Sequence, residues 1–351
     1  MANVLLTGAS GFVGAHILKT LLDRGYSVTA TVRSSDKGDK ILASHQKHQS
    51  KLSYAVVKEI AAEGAFDLAV QSIPPFDYVI HAASPFPVEF ADPVKDVIDP
   101  AINGTTGILN AVKTHAPSVK RVVVTSSFAA IVNIASPPKV YDETSWNPVT
   151  WDEAVADRSL TYRGSKASTI MTEKNKPIAN SSIQAFAERA AWAFVDQETP
   201  GFDLVTINPP LVYGPVVHSL KSLDELNTSN QKIRDFVQGK HTGDDLPPTG
   251  TFLWVDVRDL ALAHVRALEV AAAGGHRFFT TAGHCSHKRI IDAIRKTHPT
   301  LSPRLPSNPV DDFPEDCYGY DNGKARDILG VEFRSLDEGV GDAVASLLPF
   351  L

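Results

Sequence analysis

Tyr162 and Lys166 stand four residues apart in Tyr162-Arg163-Gly164-Ser165-Lys166. On a helix that spacing places both on one face, one turn from each other. A lysine ammonium held there favours tyrosinate over tyrosine, so a phenol with an ordinary pKa of about 10 can exchange protons nearer neutrality. Such a group suits a general acid at a carbonyl oxygen. Alone the pair says little, because a chain with 8 tyrosines meets this spacing readily by chance. Its meaning depends on the elements that would position it.

The first of these lies at the start of the chain. Val4-Leu5-Leu6 is a short apolar run fit for a buried parallel strand, and Ala15 to Leu22 has helical periodicity. Between them runs Thr7-Gly8-Ala9-Ser10-Gly11-Phe12-Val13-Gly14. Glycines at 8, 11 and 14 permit a tight turn, close approach of backbone to a pyrophosphate, and helix–strand contact. The free N–H groups of the helix that follows would face the phosphates. The second strand, Ser27 to Val32, ends in Arg33, with Lys37 close behind. An acid there would take the ribose diol, whereas an arginine accommodates a 2′-phosphate, so the expected cofactor is NADPH/NADP+.

Further strands are expected at Tyr54–Val57, Tyr78–His81 and Arg121–Thr125, with a long helix from Pro93 to His115. This alternation predicts an α/β fold, a Rossmann-type doubly wound parallel sheet with ligands outside the carboxyl ends of its strands. Glu59 and Ile60 follow the third strand, Ala82-Ala83-Ser84 the fourth, and Ser126-Ser127 the fifth, so all of them belong at that edge. The serine pair gains a catalytic meaning only because the Tyr–Lys pair follows it.

The 351 residues carry a formal charge of −6 and 43% hydrophobic content, which argues for a globular chain and against nucleic acid or anionic membrane as a partner. Two cysteines, Cys285 and Cys317, exclude a disulfide framework, and their nearby His284 and His287 are too few for a metal site. The N-terminus has no signal-peptide pattern, so a cytoplasmic protein is expected.

Together these residues resemble the extended short-chain dehydrogenase/reductase family: the glycine-rich turn, His81-Ala82-Ala83-Ser84, Thr125-Ser126-Ser127, and Tyr162 with Lys166. More narrowly the chain is similar to fungal NADPH-dependent methylglyoxal, aldehyde and ketone reductases, which are related to dihydroflavonol 4-reductases. Ala83–Phe86, Trp146-Asn147-Pro148, Asn208-Pro209, Tyr213-Gly214-Pro215, Leu226–Ser229 and Val255–Asp259 extend the likeness over nearly the whole chain. The resemblance implies that Ser127 polarises the substrate carbonyl, Tyr162 donates the proton, and Lys166 holds the nicotinamide ribose and lowers the tyrosine pKa. It also implies that Pro209 and Val212 line the nicotinamide and that Ser229 helps hold the phosphates. Phe86, Phe128 and Tyr213 are expected as pocket walls, since they sit beside strand ends.

One segment departs from the family pattern. Lys166-Ala167 should run on directly into Phe186-Ala187-Glu188, but residues 168–185 intervene. With Asn175-Lys176-Pro177 inside it, this stretch should break the helix. It reads either as a surface insertion or as a translated intron. The expected organisation is a cofactor domain over residues 1–207 and a smaller substrate lobe over 208–351, interleaved with the last Rossmann elements. A small-molecule carbonyl substrate and a monomer or homodimer complete the expectation. The rival readings are a nucleotide-sugar epimerase or dehydratase of the same fold, and an NADP-binding protein whose catalysis the extra segment impairs.

Overall fold

The computed structural model describes residues 2–84, 91–92, 94–133, 135–156, 181–243 and 246–351. The strands in chain order are β1 (Asn3–Thr7), β2 (Ser27–Val32), β3 (Leu52–Val56), β4 (Tyr78–His81), β5 (Arg121–Thr125) and β6 (Val140–Tyr141). Then come β7 (Asp203–Asn208), β8 (Leu211–Tyr213), β9 (Leu253–Asp256), β10 (Arg277–Phe279), β11 (Gly283–His284) and β12 (Gly319–Tyr320). The α-helices of the first half are α1 (Phe12–Asp23), α2 (Ser35–Ser44), α3 (Asp99–His115), α4 (Trp151–Ala156) and α5 (Ser181–Glu198). Those of the second half are α6 (Thr228–Val237), α7 (Val257–Glu269), α8 (His287–Thr297), α9 (Gly323–Asp327) and α10 (Leu336–Leu347).

Seven strands form the main sheet in the order β10-β7-β5-β4-β1-β2-β3, and every pairing in it is parallel. Strand β1 is buried along its whole length, as a strand covered on both faces must be. The chain first moves outward from β1 to β3 and then returns to β4 on the other side of β1. That reversal opens a crevice at the carboxyl ends of β1 and β4, where ligands bind in open parallel sheets.

The two faces carry separate cores. On one, Ile17, Leu18 and Leu21 of α1 pack with Leu260, Ala261 and Val265 of α7. On the other, Ile108, Leu109 and Val112 of α3 pack with Ala191 of α5. Fully burying each of the isoleucine, leucine and valine side chains contributes about 1.5–3 kcal/mol. Helix α7 and strand β10 both come from the second half of the chain, so the C-terminal sequence completes the cofactor-binding sheet. A smaller sheet, β11-β9-β8, packs against α6, α8 and α10 around Trp254, Ile233, Ile290 and Val344.

The expected helix from Pro93 is in fact a π-helical turn, Val94–Ile98, leading into α3. Residues 181–185, the last five of the 168–185 segment, are helical within α5, and Ala185 is fully buried. Residues 168–180 lie outside the described residues. Asp256 caps α7, as its position suggests, by accepting from the Arg258 N–H (2.8 Å). Asp259 instead reaches across to accept the backbone N–H of Arg334 (2.7 Å), tying α7 to the segment before α10.

Candidate active site

The glycine-rich turn connects β1 to α1 in the crevice. Gly8 has φ +76°, a left-handed conformation, and a Cβ there would lie 2.7 Å from the Ala82 carbonyl carbon. A Cβ on Gly14 would lie 2.1 Å from the Gly8 oxygen, which is already bound by the Gly11 N–H at 2.9 Å. No side chain caps α1 at Gly11, so the first N–H groups of the helix are left without a capping side chain. That is the donor arrangement an anionic pyrophosphate requires. Gly8, Ala9, Ser10, Gly11, Phe12, Val13 and Gly14 thus form one backbone cradle that fits the phosphates of a dinucleotide.

The opposite wall is Ala82-Ala83-Ser84 beyond β4. Thr7 fixes it: its Oγ1 accepts the Ala83 N–H (3.0 Å) and shares a hydrogen bond with His81 Nδ1 (2.9 Å). Burial pushes the His81 imidazole down to about 4, so it stays neutral. His264 on α7 behaves alike. Burial lowers it to about 4, its Nδ1–H donates to Leu260 O (2.8 Å), and its Nε2 accepts from Thr125 Oγ1 (2.7 Å) at the end of β5.

At the adenosine end, Arg33 and Lys37 are exposed beside the start of α2. The two acids that could neutralise them are engaged elsewhere, Asp36 by Lys40 (2.7 Å) and Asp39 by the Tyr54 hydroxyl (2.9 Å). Neither Arg33 nor Lys37 has an ion pair or hydrogen bond among the described residues, which leaves both cations available to a phosphate. Glu59 is exposed and accepts from the Ala61 N–H (3.3 Å), while Ile60 packs into the core under α3.

At the carboxyl end of β5, Ser127 is half-buried and caps a short 3-10 helix, Phe128–Ala130. Its Oγ accepts the Ala129 N–H at 3.1 Å, which leaves its own O–H free to donate. Tyr162, Lys166 and Phe86 lie outside the described residues. Of the proposed pocket walls, Phe128 (4% exposed) stacks on Phe279 (5.3 Å) and meets Tyr141 edge-on (5.2 Å). Tyr213 (1% exposed) packs by Trp254 in the core of the second lobe. Both rings are held in packing, so neither presents an open surface.

The loop after β7 is braced on the same edge. Pro209 O accepts the Phe128 N–H (2.8 Å), and Ser229 Oγ accepts the Val212 N–H (3.3 Å), so Ser229 and Val212 are brought together. His16 on α1 contacts Pro215 O through Nε2 (2.8 Å), joining the phosphate cradle to the second lobe.

The least expected feature lies beneath Ser127. Glu188 on α5 is 2% exposed, and its carboxylate accepts from Ser126 Oγ, Asn208 Nδ2 (2.7 Å), Thr206 Oγ1 (2.8 Å) and Arg277 Nε (2.7 Å). Arg277 also donates through Nη1 to the carbonyls of Glu143 (2.6 Å) and Ser145 (2.8 Å), and its guanidinium lies 3.6 Å above the Trp146 ring centroid. The only sequence signal for this network was an acid inside the apolar run Ala185–Trp192 and an arginine heading a strand.

The chain belongs to the NAD dependent epimerase/dehydratase family, whose model matches residues 4–150, and within it sits among the NADPH-dependent ketone and aldehyde reductases. It is 51% identical over 348 residues to the ketoreductase azaE of Aspergillus niger, covering 99% of this chain and 97% of that one. It is 36% identical over 355 residues to a putative NADPH-dependent methylglyoxal reductase, GRP2, of Candida albicans, covering 99% and 98%. Among solved structures, Gre2 of Candida albicans in complex with NADPH superposes with a TM-score of 0.87 at 30% identity, covering 100% of this chain and 99% of that one.

Proposed function

We propose that this protein reduces a ketone or aldehyde to an alcohol at the expense of NADPH, with Ser127, Tyr162 and Lys166 as the catalytic residues. The observation that carries the reading is the placement of Ser127, a free hydroxyl donor at the carboxyl end of β5, on the same sheet edge as the glycine cradle. When bound, NADPH supplies the hydride. Gly8 to Gly14 and the N-terminus of α1 hold its phosphates, Arg33 and Lys37 its 2′-phosphate, and Ala82, Ala83, Pro209 and Val212 flank the rest.

As a carbonyl carbon gains hydride, negative charge develops on its oxygen. Ser127 Oγ donates a hydrogen bond to that oxygen, and Tyr162 transfers its phenolic proton there, so the charge is met where it forms. Lys166, four residues after Tyr162, lowers the cost of the resulting tyrosinate. The small-molecule substrate belongs to the ketones or α-dicarbonyls, in keeping with the names of the azaE and GRP2 relatives.

The test is NADPH consumption by the full chain with methylglyoxal and with an aryl ketone, beside Tyr162→Phe. The reading expects turnover that Tyr162→Phe lowers by about 100-fold or more while NADPH still binds. Tyr162→Phe turning over at the wild-type rate would refute the assignment of the proton donor.

A further inference from the structure

Glu188 makes a set of contacts that stability alone does not explain. A buried ion pair costs about as much to desolvate as it returns, and apolar replacements of such pairs are often neutral or stabilising. The pair with Arg277 has side chains only 1% and 9% exposed, so it falls in this class. What distinguishes it is what it joins. The carboxylate gathers Ser126 just past β5, Thr206 and Asn208 of β7, and Arg277 at the start of β10, and so ties three adjacent strands together.

Two of these routes end on Ser127. Ser126 is its chain neighbour, and its hydroxyl is held on Glu188. The Asn208 amide donates both to Glu188 and to the Ser127 carbonyl (3.3 Å). The direction of the Ser127 hydroxyl depends on this backbone, because its Oγ is tied to the Ala129 N–H in the same turn. A donor displaced by about 1 Å from the developing oxyanion can lose about 100-fold in rate. We infer that Glu188 is a positioning residue for carbonyl reduction, holding the Ser127 backbone through Asn208 and Ser126 so that its hydroxyl meets the substrate oxygen. This inference rests on the catalytic role proposed for Ser127.

The experiment is a double-mutant cycle on the full chain with methylglyoxal and NADPH, using Glu188→Gln, Ser127→Ala and both together. Glu188→Gln should lower kcat by about 10- to 100-fold with the NADPH Kd within about 3-fold of wild type, and should cost less than about 3-fold further in the Ser127→Ala background. A merely structural role would instead give equal losses in both backgrounds, which overturns the inference, as does a wild-type kcat for Glu188→Gln. Ser127→Ala with unchanged kcat overturns the Ser127 reading and this one with it. Ser127→Ala impaired beside an unimpaired Glu188→Gln overturns this one alone. If Glu188→Gln does not fold, Asn208→Ala, which cuts the relay but keeps the Glu188–Arg277 pair, is judged by the same criteria.

Discussion

Gly14→Ala tests the cofactor cradle where its geometry is tightest. The added methyl would stand 2.1 Å from the Gly8 oxygen, 2.6 Å from the Gly8 carbonyl carbon and 3.0 Å from the Ala9 Cα. Ordinary carbon contacts need about 3.5 Å, so the glycine turn must retreat by more than about 1 Å, and all three obstacles are backbone. Overpacking of this kind costs about 1–3 kcal/mol. If that cost falls on the phosphate-binding conformation, the NADPH Kd rises by about 10- to 100-fold. The control is Gly107→Ala in α3, where nothing lies within 4 Å of the added Cβ. That change should leave NADPH binding alone and stabilise the chain by about 0.5–1 kcal/mol, as alanine does over glycine inside a helix. Calorimetric titration with NADPH and urea melts of both variants measure the two effects. Wild-type NADPH affinity in Gly14→Ala would refute the argument that this turn cradles the pyrophosphate.

Three further expectations follow from other parts of the site. Arg33→Ser should weaken NADPH by about 10- to 100-fold and leave NADH unchanged, since it removes a charge-assisted bond to the 2′-phosphate; equal losses for both coenzymes in titrations would count against that role. His81 and His264 are each lowered from 6.5 to about 4 by burial, so between those values the unfolded chain binds protons that the folded chain does not. Stability is therefore full above about pH 6.5 and is lost as pH falls towards 4, by about 3 kcal/mol per histidine, and urea midpoints that stay flat across this window would contradict it. Arg277→Met leaves Glu188 buried without its cation and should destabilise by about 3–5 kcal/mol, whereas adding Glu188→Gln should restore much of the loss in the same urea melts.

The cradle was legible in the sequence because its parts are contiguous. A buried strand, three glycines and an amphipathic helix within 22 residues admit few other arrangements, and Arg33 ends the very next strand. Ser127 was legible for the same reason, since it directly follows the β5 run. The Glu188 network was not, because Glu188 and Arg277 are 89 residues apart and meet only when β10 returns to the edge of the sheet. Nor could the sequence tell pocket from core for Phe128 and Tyr213. An aromatic at a strand end faces whichever side the neighbouring elements leave open, and here Phe279 and Trp254 enclose the two rings.

The central claim is net carbonyl reduction by exchangeable NADPH, and the most direct measurement follows NADPH loss and alcohol formation together for the full chain with methylglyoxal. The account predicts one NADPH consumed for each alcohol formed, with NADH much the poorer donor. Substrate turned over with no net loss of coenzyme would contradict it and point to the epimerase or dehydratase chemistry found elsewhere in the family.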